Sequence, residues 1–539
     1  MGDEGATVDA AAETGDDDLS ALLSSATLML FIGSLGSLSR LFERVVIGRL
    51  LSPSAFGQVE VSFSVMTIAT TVALFGFREG IPRFMTRFES DENARGAWFT
   101  GSAVALVLVV GTTVALFTNA EWVGVQFEEQ VSTELLSLFV LTIPFFAGLQ
   151  LAVAGIRGRE NTIYRTYTRD LLYNGLRLGL IVGLLLAGYG VVAVGYAYLA
   201  SAAVALVVAL WLFNRLLPIR GAFRTRTREM VVFSLPLVLA SVSSILLGRV
   251  DSIMIGYYLP IEQAGIYGAA WPLARTVSVI VSSFGFLFLP LMSRLDAGGQ
   301  RGEVNRLYKV TTKWVFVVSF PALLCLVVFA DDLLLAAFGN EYTAGATALA
   351  VLALGSFTSA SFGRCQDTLS AFGYTTDIFV VNAVAAVLNL ALNAALIPGY
   401  GPLPGLGLEG AAAATAISTV VLNGSALATL WYKSGVNPFS RVTVRTFALL
   451  PVVFFPPAVA LDRVVTLGLV GLIAFVAVVG IASIAVLALT GSLQPEDEIP
   501  FDLVEDRLGV TIPLIRRYIP DADSSEGIDT IVEADEGNE

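Results

Sequence analysis

Residues 191–213 read VVAVGYAYLASAAVALVVALWLF, a run in which no side chain is charged. A helix needs about 20 largely apolar residues to cross the roughly 30 Å hydrocarbon core of a bilayer. This run therefore predicts a transmembrane helix. Similar runs, separated by short polar breaks, recur along the chain, of whose 539 residues 55% are hydrophobic and 14% charged. The sequence indicates an all-α integral membrane protein.

The apolar runs predict about fourteen membrane spans, and an even number of spans places both termini on the same side. Lys and Arg gather in alternate loops, within residues 78–95, 157–169, 215–228 and 294–309, whereas loops 119–133 and 331–343 contain acids and neither Lys nor Arg. Basic loops lie on the cytoplasmic side. We therefore expect a multi-pass protein of the cell membrane with cytoplasmic termini. The predicted spans are 20–49, 56–76, 97–118, 134–155, 170–187, 191–213, 230–258, 267–289, 312–330, 344–363, 377–397, 410–431, 444–461 and 465–489.

The formal net charge of -13 is concentrated at the two ends of the chain. Residues 1–20 contain seven acids and no base, and residues 491–539 contain fourteen acids and three arginines. Such segments are typically solvated tails. Arginine outnumbers lysine strongly, which together with the acidic tails suggests a salt-adapted organism.

An internal repeat organises the membrane region. A shift of 208 residues aligns Gly57 with Gly265 and Pro82 with Pro290, and a shift of 211 aligns the Gly-Tyr-Gly sequences at 188–190 and 399–401. The alternative is chance alignment of glycine-rich apolar sequence. The repeat predicts two pseudo-symmetric six-helix lobes with the same orientation, followed by two C-terminal helices. The predicted domains are an acidic cytoplasmic tail (1–19), an N-lobe (20–215), a basic cytoplasmic linker (216–229), a C-lobe (230–431), spans thirteen and fourteen (432–490) and a second acidic cytoplasmic tail (491–539).

Side-chain composition excludes several classes of catalytic site. The chain contains no histidine, which rules out Ser-His triads, histidine acid/base chemistry and histidine-ligated metals. Cys325 and Cys365 have no metal-binding spacing, and we interpret them as packing residues. These absences remove many enzyme classes and predict no metal site. We also expect a transporter and not an enzyme, with no nucleic-acid partner.

Ionisable side chains within predicted spans are energetically costly, and each is a candidate for function. Gly33, Ser37, Arg40 and Arg44 share one helix face, and the 208-residue shift aligns Glu43 with Asp251. The alternative is that these arginines snorkel to the headgroups or form structural ion pairs. The functional interpretation is a cationic, water-filled cavity between the two bundles that binds phosphate. The candidate substrate-binding residues are Arg40, Arg44, Arg177, Arg249 and Arg275, and the candidate charge-pair or gating residues are Glu43 and Asp251.

Several stretches resemble the polysaccharide flippases of the multidrug/oligosaccharidyl-lipid/polysaccharide (MOP) exporter superfamily. These stretches follow the family's order over roughly residues 20–490. They are 49–57 (RLLSPSAFG), 233–236 (FSLP) running to Asp251, 264–267 (AGIY), 338–342 (FGNEY), 389–393 (NLALN) and 407–412 (GLEGAA). The residues 402–404 (PLP) and the acidic C-terminal tail depart from the family's pattern.

The resemblance implies two six-helix lobes around a central cavity and outward movement of a lipid carrier that bears a glycan. We expect a flippase for an isoprenoid-phosphate-linked oligosaccharide, used in cell-surface polysaccharide or glycoprotein biosynthesis. The alternatives are a cation-coupled multidrug extruder of the same superfamily, and a membrane polysaccharide polymerase or ligase. We expect no cofactor, with Na⁺ or H⁺ as candidate coupling ions. The expected partners are lipid-linked saccharide, membrane lipids and membrane glycosyltransferases, and the expected state is a monomer.

Overall fold

The computed structural model describes residues 39–87, 90–127, 130–283, 285–399 and 404–497. These ranges are mainly helical and contain no strand. They include twelve helical segments, some made of two or three consecutive helices, that are long and apolar enough to cross a membrane. Each of the twelve coincides with one predicted span, which confirms the all-α, multi-pass class. Predicted span 170–187 corresponds to a shorter helix, Asn174–Leu186. Predicted span 20–49, with Gly33 and Ser37, falls largely outside the described residues, so the count of fourteen stays a prediction.

The chain divides into two compact units, Met1–Gly268 and Ala269–Glu539. The helices of the first unit are α1 (39–50), α2 (Pro53–Ala73), α3 (Phe77–Arg87), α4 (Asp91–Thr118), α5 (Ala120–Val125), α6 (Thr133–Gly158), α7 (Thr162–Arg165), a π-helix (Thr166–Tyr173), α8 (Asn174–Leu186), α9 (Val192–Leu216) and α10 (Thr227–Tyr258). Helix α11 (Ile261–Ala274) crosses the boundary between the units. The domain boundary predicted from the sequence lies in the 216–229 loop instead, and the six-helix lobes stay a prediction.

Helices α2 and α3 form one membrane-crossing segment with a break between them. Helix α2 begins where the Ser52 side chain accepts a hydrogen bond from the backbone N–H of Ala55 and proline occupies the first turn. It ends before Phe75 and Gly76, which have φ values of 49° and 70°. This left-handed conformation is uncommon for a residue other than glycine, and it interrupts the helix. Helix α3 then continues as a separate segment that begins at Phe77.

The first turns of α2 and α11 lie so close together that two of their residues, Gly57 and Gly265, have no room for a side chain. A Cβ atom on Gly57 would lie 1.9 Å from the carbonyl oxygen of Ile261, and one on Gly265 would lie 2.0 Å from the carbonyl oxygen of Pro53. The 208-residue shift makes Pro53 equivalent to Ile261 and Gly57 equivalent to Gly265. The contact is therefore reciprocal, as at a two-fold axis. This reciprocity favours a true repeat over chance alignment for these two helices.

Small residues allow the long helices of the first unit to pack closely. The buried residues Ala202, Ala205 and Ala209 of α9 lie in one cluster with Leu149 and Val153 of α6. Membrane helices associate through such small side chains because lipid provides no hydrophobic drive for helix association. Helices α6 and α9 form the most extensive helix pair in the described chain. This pair forms one wall of the cavity described below.

The second unit is also a helical bundle, in which α16 and α18 both pack against α19. Its helices are α12 (Thr276–Ser283), α13 (Gly285–Ala297), α14 (Arg301–Val328), α15 (Ala330–Ala337), a 3₁₀ helix (Asn340–Gly345), α16 (Ala346–Ser361), α17 (Cys365–Ala371), α18 (Thr375–Leu396), α19 (Gly407–Ser434), α20 (Arg441–Asp462), α21 (Leu469–Leu489) and a 3₁₀ turn (Pro495–Asp497).

The last two helices, α20 and α21, pack against α14. The rings of Phe316 and Phe447 stack with their centroids 4.0 Å apart. Beyond α21, Asp497 forms a fully buried ion pair with Lys313 and accepts a 2.7 Å hydrogen bond from the Trp314 indole. Asp497, at the end of the described residues, is therefore anchored to α14.

Candidate functional site

The first unit contains a cavity of about 230 Å³ lined by residues of α1, α2, α3, α6, the π-helix, α8, α9 and α10. Its charged lining residues are Arg40, Arg44, Arg78, Arg157, Arg169, Arg177, Arg249, Glu43 and Asp170. Seven arginines against two acids give these side chains a net charge of +5. Four of the five predicted substrate-binding arginines and the predicted gating residue Glu43 are among them. The arrangement suits an anionic ligand.

Arg177 and Glu43 form a buried ion pair inside the cavity. The Arg177 Nε atom donates to Glu43 Oε2 at 2.9 Å, and the Tyr198 hydroxyl donates to Glu43 Oε1 at 2.8 Å. The guanidinium carbon lies 4.7 Å from the ring centroids of both Tyr173 and Tyr198. The Arg177 guanidinium also donates from Nη2 to Glu43 Oε2, so two hydrogen bonds and two aromatic faces compensate a buried positive charge.

A second buried carboxylate, Glu60 of α2, forms ion pairs with two cavity arginines. Its Oε1 atom contacts Arg44 Nη1, and its Oε2 atom lies 3.6 Å from Arg249 Nη1. Arg44 Nη1 also donates to the carbonyl oxygen of Gly268 at 3.2 Å. The Arg249 guanidinium lies 4.5 Å from the Phe63 ring centroid. Arg44 of α1 and Arg249 of α10 are thereby held at one carboxylate.

A third group of arginines comes from segments that the sequence analysis assigned to cytoplasmic loops. Arg157 donates from Nη1 and Nη2 to Glu79 Oε2, both at 3.1 Å, and Arg78 Nε lies 3.4 Å from Glu79 Oε1. Arg169 lies in the π-helix, outside the twelve membrane-crossing helices. Burial, and next the positive charge of Arg78, lower the pKa of Arg169 to about 10. Its guanidinium stays charged at neutral pH, and a bound anion would relieve this crowding of positive charge.

The π-helix contributes three residues to the cavity wall, namely Arg169, Asp170 and Tyr173, and α8 follows with Asn174 and Arg177. A π-helix of this length is rare, and π-helical turns are frequent at functional sites. Apolar periodicity does not predict it, because the register change that brings these residues to one wall leaves no signature in the hydrophobic pattern.

The two remaining predicted site residues have other surroundings. Asp251 is 1% exposed and accepts a 2.7 Å hydrogen bond from the Tyr267 hydroxyl, and it is not among the cavity-lining residues. Arg275 belongs to the second unit, where its guanidinium lies 4.7 Å from the Trp271 ring centroid. Substrate binding by the arginines and gating by the acids stay predictions.

The functional residues that sequence reasoning missed include the cavity-lining Arg78, Arg157, Arg169, Asp170, Tyr173 and Tyr198, and the bridging acid Glu60. Glu60 lies inside predicted span 56–76, so intramembrane charge was a usable signal for it. Arg78, Arg157 and Arg169 counted as loop bases, and only tertiary structure brings them to the cavity. Within the described ranges, no three Cys, Asp or Glu side chains are arranged to hold a metal ion.

Comparisons with known proteins identify relatives of the chain and of its fold. Residues 46–347 match the family described as polysaccharide biosynthesis protein. A Haloferax volcanii protein named probable flippase AglR is 25% identical over 388 residues, which cover 70% of this chain and 76% of the relative. Its origin agrees with the expected salt-adapted organism.

Two solved structures share the fold. The lipid II flippase MurJ in an inward closed conformation matches with a TM-score of 0.65 and 12% identity, covering 86% of this chain and 99% of that one. An inward-facing MATE multidrug transporter of the MOP superfamily matches with a TM-score of 0.63 and 16% identity, covering 74% of this chain and 96% of that one. The predicted MOP exporter fold is confirmed.

Proposed function

Because the chain belongs to the polysaccharide biosynthesis protein family and has the MOP exporter fold, we propose that it flips a lipid-linked saccharide from the cytoplasmic to the outer leaflet. The single observation that carries this proposal is the arginine-rich cavity of the first unit. A lipid carrier joined to its glycan through phosphate presents an anion at the membrane surface, and guanidinium groups bind phosphate through paired hydrogen bonds. The flippase name of the Haloferax relative supports the same function.

The uncharged lining of the cavity suits a saccharide beside the phosphate. Thr67, Thr71, Gln150 and Asn174 contribute hydroxyl and amide groups, and Phe63, Phe146, Tyr173 and Tyr198 contribute aromatic rings. Sugars present hydroxyl groups that hydrogen-bond to such side chains and C–H faces that pack on rings. The lipid tail would remain in the bilayer while the headgroup passes through the protein.

The negative charge of the proposed ligand also favours one direction of transport. Moving one elementary charge across the membrane changes its free energy by about 2.3 kcal/mol per 100 mV of membrane potential. With the usual inside-negative potential, outward movement of an anion is downhill. A coupling ion, Na⁺ or H⁺, would then serve mainly to return the empty, positively charged cavity to its inward-facing state.

The two alternative functions receive less support from the site. A cation-coupled multidrug extruder would favour a mainly acidic cavity, and here seven arginines face two acids. A polymerase or ligase would need a large extracytoplasmic loop bearing catalytic polar residues, whereas the longest such loop predicted from the sequence has about fifteen residues, 119–133. A transporter is therefore the function that we propose.

The proposed function is tested by deleting the gene and locating the lipid-linked saccharide. A flippase deletion should leave the saccharide accumulated on the cytoplasmic leaflet, protected in intact cells from an impermeant sugar-oxidising reagent. Re-expression of the wild-type protein should restore its exposure. Saccharide that reaches the outer leaflet normally in the deletion strain, with no second flippase expressed, would contradict the proposal.

A further inference from the structure

We propose that Glu60 is an internal counter-anion that positions Arg44 and Arg249 in the empty cavity and yields them to the phosphate of the ligand. This inference rests on the proposed function, because it assumes that the cavity binds an anion. Glu60 does not line the cavity itself, but it contacts two residues that do, Arg44 and Arg249. Glu60 would thereby set how tightly the headgroup is held and how readily it is released.

The burial and contacts of Glu60 fix its position. Its side chain is 4% exposed, and its two oxygen atoms contact arginines from α1 and α10 respectively. Gly268 leaves room for it, because a Cβ atom at that position would lie 2.5 Å from Glu60 Cγ. The 208-residue shift makes Glu60 and Gly268 equivalent, so the carboxylate occupies the local two-fold position between α2 and α11.

The electrostatics of this group explain why an anionic ligand would compete with Glu60. Two guanidinium groups and one carboxylate leave a net charge of +1 in a buried environment, where Coulomb interactions are stronger than in water. Like charges repel, so Glu60 allows Arg44 and Arg249 to share one site before ligand arrives. A phosphate oxygen offers the same charge-assisted hydrogen bonds as the carboxylate. A phosphate must therefore displace Glu60 from Arg44 and Arg249 in order to bind. This competition lowers the affinity for the phosphate and speeds its release.

The test compares equilibrium binding and flipping of geranylgeranyl phosphate by the purified full chain, with geranylgeraniol as the uncharged control ligand. Glu60→Gln keeps the side-chain shape and removes the charge, so geranylgeranyl phosphate should bind at least about fivefold more tightly and be flipped more slowly. Glu60→Asp keeps the charge and should restore nearly wild-type binding. Glu229→Gln removes an exposed carboxylate near the start of α10 and should change neither property.

Charge balance provides a second comparison if Glu60→Gln folds poorly. Arg44→Gln reduces the net charge of the group to zero and should weaken binding. The double variant Arg44→Gln/Glu60→Gln returns the net charge to +1 without a carboxylate, and it should recover binding relative to Arg44→Gln alone. A purely structural role would make binding rise and fall together with melting temperature, whereas the proposed role predicts recovered binding among variants whose melting temperatures are equal.

The outcomes separate the inference from the proposed function. Wild-type protein that shows no preference for geranylgeranyl phosphate over geranylgeraniol would overturn both. Wild-type protein that prefers the phosphate, with folded Glu60→Gln binding no more tightly or with no recovery in the double variant, would overturn the role of Glu60 alone.

Discussion

Arg177 of α8 donates from Nε to a carboxylate oxygen of Glu43, 134 residues earlier in the chain, at 2.9 Å. Both side chains are almost completely buried, at 6% and 4% exposure. A buried ion pair is stable only while both partners are present, because each compensates the desolvation of the other. The pair therefore joins α1 to α8 at the wall of the cavity.

Replacing only one partner of this pair should destabilise the protein. Glu43→Gln leaves the Arg177 charge without its carboxylate, and losses of about 3–5 kcal/mol are typical when one partner of a buried pair is removed. The double variant Glu43→Gln/Arg177→Gln should recover part of that loss. Thermal unfolding of the two single variants and the double variant in one detergent measures the coupling. Additive effects of the two substitutions would show that the pair contributes no coupling energy.

The reciprocal glycine contact gives a prediction about packing. Gly57→Ala and Gly265→Ala each place a methyl group about 2 Å from a backbone carbonyl oxygen, so α2 and α11 must separate. We expect each variant to lose at least about 1–3 kcal/mol of stability. Gly111→Ala is the matched control, since no atom of another helix lies within 4 Å of its Cβ position. Expression and melting temperature report the difference. If both Gly57→Ala and Gly265→Ala had the melting temperature of the wild-type protein, the close contact would be refuted.

Membrane orientation is tested by cysteines introduced on opposite sides. The native Cys325 and Cys365 are buried, so their background labelling by an impermeant maleimide should be low. Tyr189→Cys replaces a residue that is 56% exposed in the loop between predicted spans five and six, and it should react in intact cells. Ala222→Cys lies in the basic 216–229 loop and should react only after permeabilisation. The opposite pattern would reverse the predicted topology.

Periodicity and charge predicted much of the fold because the bilayer restricts the chain so strongly. Twelve predicted spans coincide with helices, since a spanning segment must satisfy its backbone hydrogen bonds internally. Arg40, Arg44, Arg177 and Arg249 were identified for a similar reason, namely that charge inside a span needs compensation.

The rest of the site depends on tertiary packing. Arg157 and Arg169 lie in segments whose composition resembles ordinary basic loops, and their approach to Arg78 follows from the break at Phe75–Gly76 and from the π-helix. Neither feature has a hydrophobic period. The sequence also does not predict which acid pairs with which buried arginine. Glu60 and Arg249, for example, form an ion pair but lie 189 positions apart in the sequence. Charge within predicted spans thus identified candidate site residues, whereas the ion pairs that they form depend on tertiary packing.

The proposed direction of transport predicts a response to membrane potential. In proteoliposomes, an inside-negative potential of about 100 mV imposed by a potassium gradient should shift a singly charged lipid toward the outer leaflet by about fiftyfold at equilibrium. This holds when no other ion is coupled to the movement. An uncharged lipid analogue should not respond. A shift of the anionic lipid toward the inner leaflet would contradict the account.

The central claim is that the arginine cavity of the first unit moves an anionic lipid headgroup across the membrane. The most direct test reconstitutes the purified protein with an isoprenyl phosphate sugar carrying a nitrobenzoxadiazole label, and follows the fraction that external dithionite quenches. Wild-type protein should expose the labelled lipid that starts in the inner leaflet, whereas folded Arg40→Gln and Arg249→Gln should lose most of that activity. Arg40→Lys and Arg249→Lys should keep part of it, because the charge survives and only the paired hydrogen bonds are lost. Normal flipping by both glutamine variants would contradict the account.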